Sequence, residues 1–320
     1  MLDIRLGNCI ELLRSIPQRS VQTIYLDPPF NSDRNYTLSA AGGAGFDDRW
    51  SDDESYRRFL TQVVDLCLPI LKTDGSLFFH ISSEQMWIPQ CILRDKFAVV
   101  KPIVWKRCRS KNNVKHNLGS SIDFIFWCSQ NAKRKFHMVY QPLDTTYAEN
   151  SFKKSDARGH YSMGHLVCDK TRKGHDYEFT IGGKTFHPEN GWRIPKEDLE
   201  ALAADDRLYV PKSKKANLYK KIYKDETPGK PALDIWDDIY SIAQGSEVRK
   251  YPTAKPVKLI ERIIEMTTDE GDTVLDPMAG SGTTGAACRS KNRAAILFDQ
   301  NPDAIDIIRE RLTLPETTAA

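Results

Sequence analysis

Thr273-Val-Leu-Asp-Pro-Met-Ala-Gly-Ser-Gly-Thr-Thr284 reads as a strand, a glycine turn and the start of a helix. Glycine lets the backbone approach a ligand closely, and the first turn of a helix presents N–H groups that lack intrahelical partners. Asp299 follows 23 residues after Asp276, at the end of the apolar run Ala294-Ala-Ile-Leu-Phe-Asp299. That is where an acid hydrogen-bonds ribose hydroxyls in nucleotide-binding α/β folds. No Gly-Lys-Ser/Thr follows the turn, so it is not the phosphate loop of a nucleotide triphosphatase. A ligand with a ribose and no phosphates fits better.

Regular α/β grammar extends outward from this turn. Helices are expected over Pro256 to Met266, Thr283 to Ser290 and Pro302 to Leu312, and strands over Asp272 to Asp276 and Ala294 to Asp299. The first 130 or so residues alternate in the same way, with helices at Cys9 to Ile16 and Glu54 to Leu71. Strands are expected at Gln22 to Asp27, Gly75 to Ile81, Val99 to Trp105 and Ile122 to Cys128. The run Gln22-Thr-Ile-Tyr-Leu-Asp27 is apolar and ends on an acid, as a buried parallel strand with a functional carboxyl end should. Asp27-Pro-Pro-Phe30 follows. Two prolines after a strand make a rigid turn, and here they fix the Asp27 carboxylate and the Pro28 carbonyl as a pair of acceptors for one planar NH2 group. Phe30 offers a face on which a base can stack.

From about Phe136 to Tyr251 the pattern loosens, and only one helix, Pro195 to Ala204, stands out. The net charge of +3 conceals an asymmetry: Lys101 to Lys224 carries 25 Lys and Arg against 13 Asp and Glu, the rest of the chain 21 against 30. Lys101-Pro-Ile-Val-Trp-Lys-Arg-Cys-Arg-Ser-Lys111 interleaves cations with aromatic and hydrogen-bonding side chains, the mixture that phosphate and base contacts require. A polyanion is the partner this implies, with Lys106, Arg107, Arg109 and Lys111 as candidate phosphate contacts. The seven cysteines are scattered, with no C-x-x-C, which argues against a disulfide framework and for a reducing cytosol. His160, His165, Cys168 and His175 match no common zinc spacing, and no metal is expected. No stretch is apolar for the 18 or so residues that span a bilayer, and the start lacks the features of a signal peptide.

Three motifs then occur in order: Asp27-Pro-Pro-Phe30, Tyr251-Pro-Thr-Ala-Lys-Pro256 and Asp276-Pro-Met-Ala-Gly-Ser-Gly-Thr-Thr284. In this order the chain resembles the S-adenosylmethionine-dependent amino-methyltransferases of DNA in their circularly permuted, beta-class arrangement. There D-P-P-Y/F lies near the N-terminus, the target-recognition region in the middle, and D-P-F-x-G-S-G-T-T after H-P-T-x-K-P near the C-terminus. Leu6-Gly-Asn-Cys-Ile-Glu-Leu-Leu13 is similar to the family's G-D-C-x-x-x-L, Asp234-Ile-Trp-Asp-Asp-Ile239 precedes the lysine motif as in the family, and Gly191-Trp-Arg193 resembles its middle region. The departures are Asn8 for Asp, Tyr251 for His and Met278 for Phe. The likeness covers most of the chain outside roughly 140 to 230.

The resemblance implies a Rossmann-like class I methyltransferase fold: α/β, a mixed seven-stranded sheet with helices on both faces. It divides the chain into a catalytic half over 1–135, a target-recognition region over 136–250 and a cofactor-binding half over 251–320. Asp27, Pro28, Pro29 and Phe30 are the implied catalytic residues. Asn8, Thr253, Lys255, Asp276, Ala279, Gly280, Ser281, Gly282, Thr283, Thr284 and Asp299 are those implied for S-adenosylmethionine. The implied reaction methylates N6 of an adenine flipped out of double-stranded DNA, because Asp at the first position of the tetrapeptide goes mostly with adenine in this family. N4 of cytosine is the alternative, followed by an RNA or protein amide and by a non-catalytic DNA-binding subunit. A cytosine-C5 enzyme would want a Pro-Cys nucleophile, and no cysteine follows a proline. The same resemblance implies a cytoplasmic, nucleoid-associated protein of a prokaryote or phage, and leaves a homodimer and a cognate restriction endonuclease open as partners.

Overall fold

The computed structural model describes residues 1–38, 43–109, 118–171, 173–213, 216–241, 251 and 253–313, with backbone only at 34–38 and 43–47. The described chain forms two compact units, one of Met1–Val139 with Pro231–Ala320 and the other of Tyr140–Lys230. These limits differ from the expected 136–250 because 231–239 returns to the first unit, where Ile235–Trp236 pairs as a strand.

The first unit is built on an eight-stranded sheet. In chain order its strands are β1 (Leu2–Leu6), β2 (Val21–Leu26), β3 (Leu71–Ser82), β4 (Val99–Lys106), β5 (Ile122–Ser129), β6 (Ile235–Trp236), β7 (Thr273–Asp276) and β8 (Ala294–Asp299). Across the sheet they run β1-β8-β7-β2-β3-β5-β4-β6. Pairing is parallel from β1 through β3, antiparallel on both sides of β5, and parallel again between β4 and β6. The expected mixed sheet is present, with the two-residue β6 as an eighth strand. β1 was not expected as a strand: Leu2-Asp-Ile-Arg-Leu6 is short and half exposed, and only pairing with β8 makes it one.

Helices cover both faces. The helices α1 (Cys9–Leu13), α2 (Asp53–Cys67) and α3 (Trp87–Lys96) pack with Ile24, Leu26, Leu77, Phe79 and Ile81. On the other face α4 (Val257–Thr267), α5 (Thr283–Ser290) and α6 (Pro302–Thr313) pack with Tyr25, Phe78, Val274 and Leu297. All six residues of β2 are buried, so successive side chains feed opposite cores, as a strand covered on both sides must. α2 starts where the Asp52 carboxylate accepts the Ser55 N–H at 2.7 Å. It ends at Cys67, short of the expected Leu71, with Pro69 in the three-residue 3₁₀ turn that follows. The unexpected α3 carries Pro89 in its first turn, the one part of a helix that tolerates it.

The second unit has its own core of Leu166, Phe179, Phe186, Trp192, Leu199, Leu208 and Leu218. A four-stranded sheet of 208–209, 219–223, 159–165 and 154–156 is paired antiparallel, beside a hairpin of Phe179–Ile181 and Lys184–Phe186. Two helices, Thr145–Ser151 and Lys196–Ala204, complete it, the second at the expected place. Trp192 of the Gly-Trp-Arg motif is fully buried and its indole N–H donates to the Tyr177 carbonyl at 2.8 Å. That motif is therefore part of this unit's packing.

Ile263 on α4 has no exposed surface and sits in the second core. Ile263→Ala is expected to cost about 2–5 kcal/mol. A lower urea midpoint with an unchanged slope would show it.

Candidate active site

The parallel strands end along one edge of the sheet, the place where open α/β sheets bind ligands. β2 delivers Asp27, β7 ends on Asp276, β8 on Asp299, and Asn8 follows β1. These residues line one cavity of about 730 Å³, together with Pro28, Pro29, Phe30, Thr253, Lys255, Ala279, Gly280, Ser281, Thr283 and Thr284. Of the residues expected at the cofactor, only Gly282 does not line it.

The tetrapeptide is held from below. The Tyr56 hydroxyl donates to the Pro29 carbonyl at 2.7 Å, and the buried Asp48 carboxylate accepts the N–H groups of Asn31 at 2.8 Å and Ser32 at 3.1 Å. Trp50 also lines the cavity, its ring 4.8 Å from that of Phe59. The Lys255 ammonium pairs with Asp27 Oδ2 and lies 5.1 Å over the Phe30 ring. Lys255, expected at the cofactor, is thus bound to Asp27 of the Asp-Pro-Pro-Phe tetrapeptide. Asp27 Oδ1 is buried and has no hydrogen-bond partner among the described residues. A buried acceptor left without a donor costs about 1–3 kcal/mol.

Two glycines shape the turn after β7. Gly280 has φ +51°, and a Cβ there would lie 3.1 Å from the Tyr251 ring. Gly282 has φ +74°, and a Cβ there would meet Ile308 at 2.9 Å. Gly282 therefore serves the packing of the turn on α6. The Asp299 carboxylate accepts the Gly280 N–H at 2.9 Å and the Asn301 N–H at 2.9 Å, so it organises the turn as well as facing the cavity. Arg311 donates to the Ser281 carbonyl at 3.1 Å, and the Thr284 hydroxyl donates to Asp276. Asn8, one of the departures, caps α1 by accepting the Ile10 N–H at 2.9 Å, a role its carbonyl fills without charge.

A buried polar chain lies behind Asp27, and sequence reasoning missed it. His80 on β3 is fully buried, with Nδ1 2.7 Å from the Tyr25 hydroxyl and 4.0 Å from Asp27 Oδ1. Its Nε2 is 3.3 Å from Asp123 on β5, whose other oxygen lies 3.0 Å from Arg107 Nε. Burial works against the charge of Asp123, but His80, Arg107 and Lys255 outweigh it and hold the carboxyl below its usual range. The available signal was a single polar residue in each of two apolar strand runs, Leu77-Phe-Phe-His-Ile81 and Ile122-Asp-Phe-Ile-Phe126.

The proposed phosphate contacts fare differently. Lys106 ends β4, and the exposed Arg109 guanidinium lies 4.8 Å over the Tyr240 ring. Arg107 is engaged with Asp123 and with the Ser120 carbonyl at 3.1 Å, which gives it a structural task. Lys111 lies outside the described residues.

With this geometry in place, comparison with known proteins identifies the class. A family model described as DNA methylase matches residues 21–310, and the chain belongs to that family. It is 25% identical over 304 residues to the type II methyltransferase M.EcaI of Enterobacter cloacae, covering 92% of this chain and 65% of that protein. It is 29% identical to M.BamHI of Bacillus amyloliquefaciens, covering 96% and 56%, and 26% identical to the DNA adenine methyltransferase YhdJ of Escherichia coli, covering 96% and 81%. The chain thus spans roughly half to two thirds of the length of the first curated relatives it matches. Among solved structures, the cytosine-N4-specific PvuII DNA methyltransferase superposes with a TM-score of 0.56 at 15% identity, covering 100% of this chain and 88% of that one. The M1.HpyAVI–SAM complex gives 0.51 at 17%, covering 98% and 100%. The fold is that of the class I DNA methyltransferases.

Two of the acids on the cavity, Asp27 and Asp299, act on a third, Asp276. Burial pushes the Asp276 carboxyl up to about 7, and the charges of Asp27 and Asp299 add to this against the donors Thr284 and Met278. Burial also raises Asp299, opposed by the N–H groups of Asn301, Gly280 and Gln300. A folded value above the unfolded one means that the stabilising linkage of Asp276 is complete below about pH 4 and is lost as pH rises through about 7. Asp276→Asn carries no such linkage. Its melting temperature is expected to decline less than that of the wild type between pH 4 and 7, and parallel curves would place the charge elsewhere.

Proposed function

We propose that this chain transfers the methyl group of S-adenosylmethionine to N6 of an adenine in double-stranded DNA. The observation that carries the reading is the buried Oδ1 of Asp27, without a partner among the described residues, on the same cavity as the Gly280 turn. An exocyclic NH2 group supplies the missing donor. Asp27 Oδ1 and the Pro28 carbonyl accept its two hydrogens and orient its lone pair, while Phe30 stacks on the ring.

The donor's chemistry fits the rest of the cavity. Asp27, Asp276 and Asp299 face it with Lys255 as counter-charge, so a ligand with sulfonium and ammonium charges is favoured over an anionic one. Asp299 is the candidate for the ribose hydroxyls. Asn8, Thr253, Asp276, Ala279, Gly280, Ser281, Thr283 and Thr284 would surround the remainder, with Gly282 keeping the turn in shape. S-adenosylmethionine supplies an activated methyl group. The protein's share is placement, which contributes about 7–11 kcal/mol when two reactants are held near attack geometry. The target base leaves the duplex at a cost of a few kcal/mol, offset by pocket contacts.

Residues 136–250 are proposed to recognise the target sequence, with Lys106, Arg109 and Lys111 on phosphates. A second copy of the chain and a cognate restriction endonuclease are proposed protein partners. Adenine is preferred to cytosine because Asp27 opens the tetrapeptide, and mass spectrometry of digested DNA separates the two products.

Asp27→Ala is expected to abolish transfer while S-adenosylmethionine binding stays within a few fold. Activity within tenfold of the wild type would end the assignment of Asp27. Each of Lys106→Ala and Arg109→Ala is expected to lower the slope of log DNA affinity against log salt by about 0.9. An unaltered slope would remove that residue from the DNA backbone.

A further inference from the structure

Methyl transfer to an amine leaves a proton to dispose of, and Asp27 sits where that proton appears. The amine lone pair forms the new N–C bond while the C–S electron pair returns to sulfur. The nitrogen, now cationic, must release one proton to become the neutral methylated product. Asp27 Oδ1 can take it, but a protonated Asp27 cannot orient the next amine. A second acceptor behind it would restore the carboxylate.

The buried chain provides one. His80 stands between two carboxylates, with Nδ1 4.0 Å from Asp27 Oδ1 and Nε2 3.3 Å from Asp123 Oδ2. Asp123 can only accept, so Nε2 carries the hydrogen and Nδ1 is the open acceptor, receiving the Tyr25 hydroxyl at 2.7 Å. The groups facing the imidazole are thus Tyr25 and Asp27 from β2 and Asp123 from β5. Lys255 pairs with Asp27 Oδ2 and Arg107 with Asp123 Oδ1. Phe30 at 5.7 Å and Trp105 at 5.4 Å enclose the ring. A purely apolar packing role would need none of these partners, and a buried histidine bonded to one acid and beside a second costs stability unless its charge or its bonds are used.

We propose that His80 is a positioning residue that acts through Asp27, taking from it the proton that the methylated nitrogen gives up. The inference rests on the methyl-transfer reading above. The Asp27 carboxyl turns about its soft terminal torsion to pass the proton to Nδ1, and the Tyr25 hydroxyl changes from donor to acceptor. Asp27 is then a carboxylate again, and the imidazolium lies between Asp27 and Asp123 until the proton leaves with product exchange.

The test uses His80→Gln, which keeps a donor for Asp123 and cannot carry the proton. Single-turnover transfer is measured across pH 5.5 to 9 at saturating S-adenosylmethionine and DNA, with S-adenosylhomocysteine binding by calorimetry as a check on the fold. The variant is expected to transfer at least tenfold more slowly, to bind S-adenosylhomocysteine as the wild type does, and to lose an inflection in the wild-type pH–rate profile. Asp123→Asn is expected to keep that inflection and shift it to lower pH, because one of the two charges favouring the imidazolium is gone. If His80→Gln does not fold, the direction of the Asp123→Asn shift decides. A rate within threefold of wild type with an unchanged profile, or an unmoved inflection in Asp123→Asn, overturns the role of His80 alone. Wild-type protein that methylates no DNA overturns the functional reading itself, and this inference with it.

Discussion

The site depends on the parallel pairing of β2 with its two neighbours. Tyr25 stands opposite Phe78 on β3, and Ile24 opposite Leu275 on β7. Continued to the strand ends, this register sets Asp27 beside His80 on one side and near Asp276 on the other. Side chains alternate along a strand, so a slip of one residue would turn Asp27 to the opposite face and bury it in the first core. The fully buried β2 resists such a slip, since Ile24 and Leu26 are matched to the first core and Tyr25 to the second. The parallel register is thus what makes three carboxylates neighbours around one cavity.

That convergence creates an electrostatic problem which the structure answers only in part. Lys255 balances one oxygen of Asp27, and backbone N–H groups and hydroxyls satisfy Asp276 and Asp299. The remainder is negative charge in a partly desolvated cavity, where interactions are stronger than in water. A cationic ligand relieves the repulsion, and a neutral amine donor relieves the orphaned Asp27 oxygen. The clamp of Tyr56 and Asp48 beneath the tetrapeptide has the complementary effect, keeping the backbone from relaxing away from the unfavourable arrangement.

Arg107 shows how charge counting and structure diverge. The basic run 101–111 marks a surface that favours polyanions, and Arg109 is exposed within it. Arg107, two residues away, turns inward to Asp123, because β4 and β5 are antiparallel neighbours with Trp105 opposite Asp123. One cation of the run therefore belongs to the interior chain behind Asp27, another, Lys101, pairs with Asp234, and Arg109 is exposed.

The amino-acid sequence by itself determined the α/β class, the helices α4, α5 and α6, the strands β2, β7 and β8, and the two motifs that meet at the cavity. These are local properties: periodicity, glycine turns and prolines act over a few residues, so they can be read in a few residues. Tertiary structure alone decided that Lys255 pairs with Asp27, that β1 is a strand, and that 231–239 rejoins the first unit. It alone joined Tyr25, His80, Asp123 and Arg107, which come from four places in the chain. Such contacts depend on strand order and register, which are set by how whole strands share two cores, and no local pattern encodes which buried polar residue will face which.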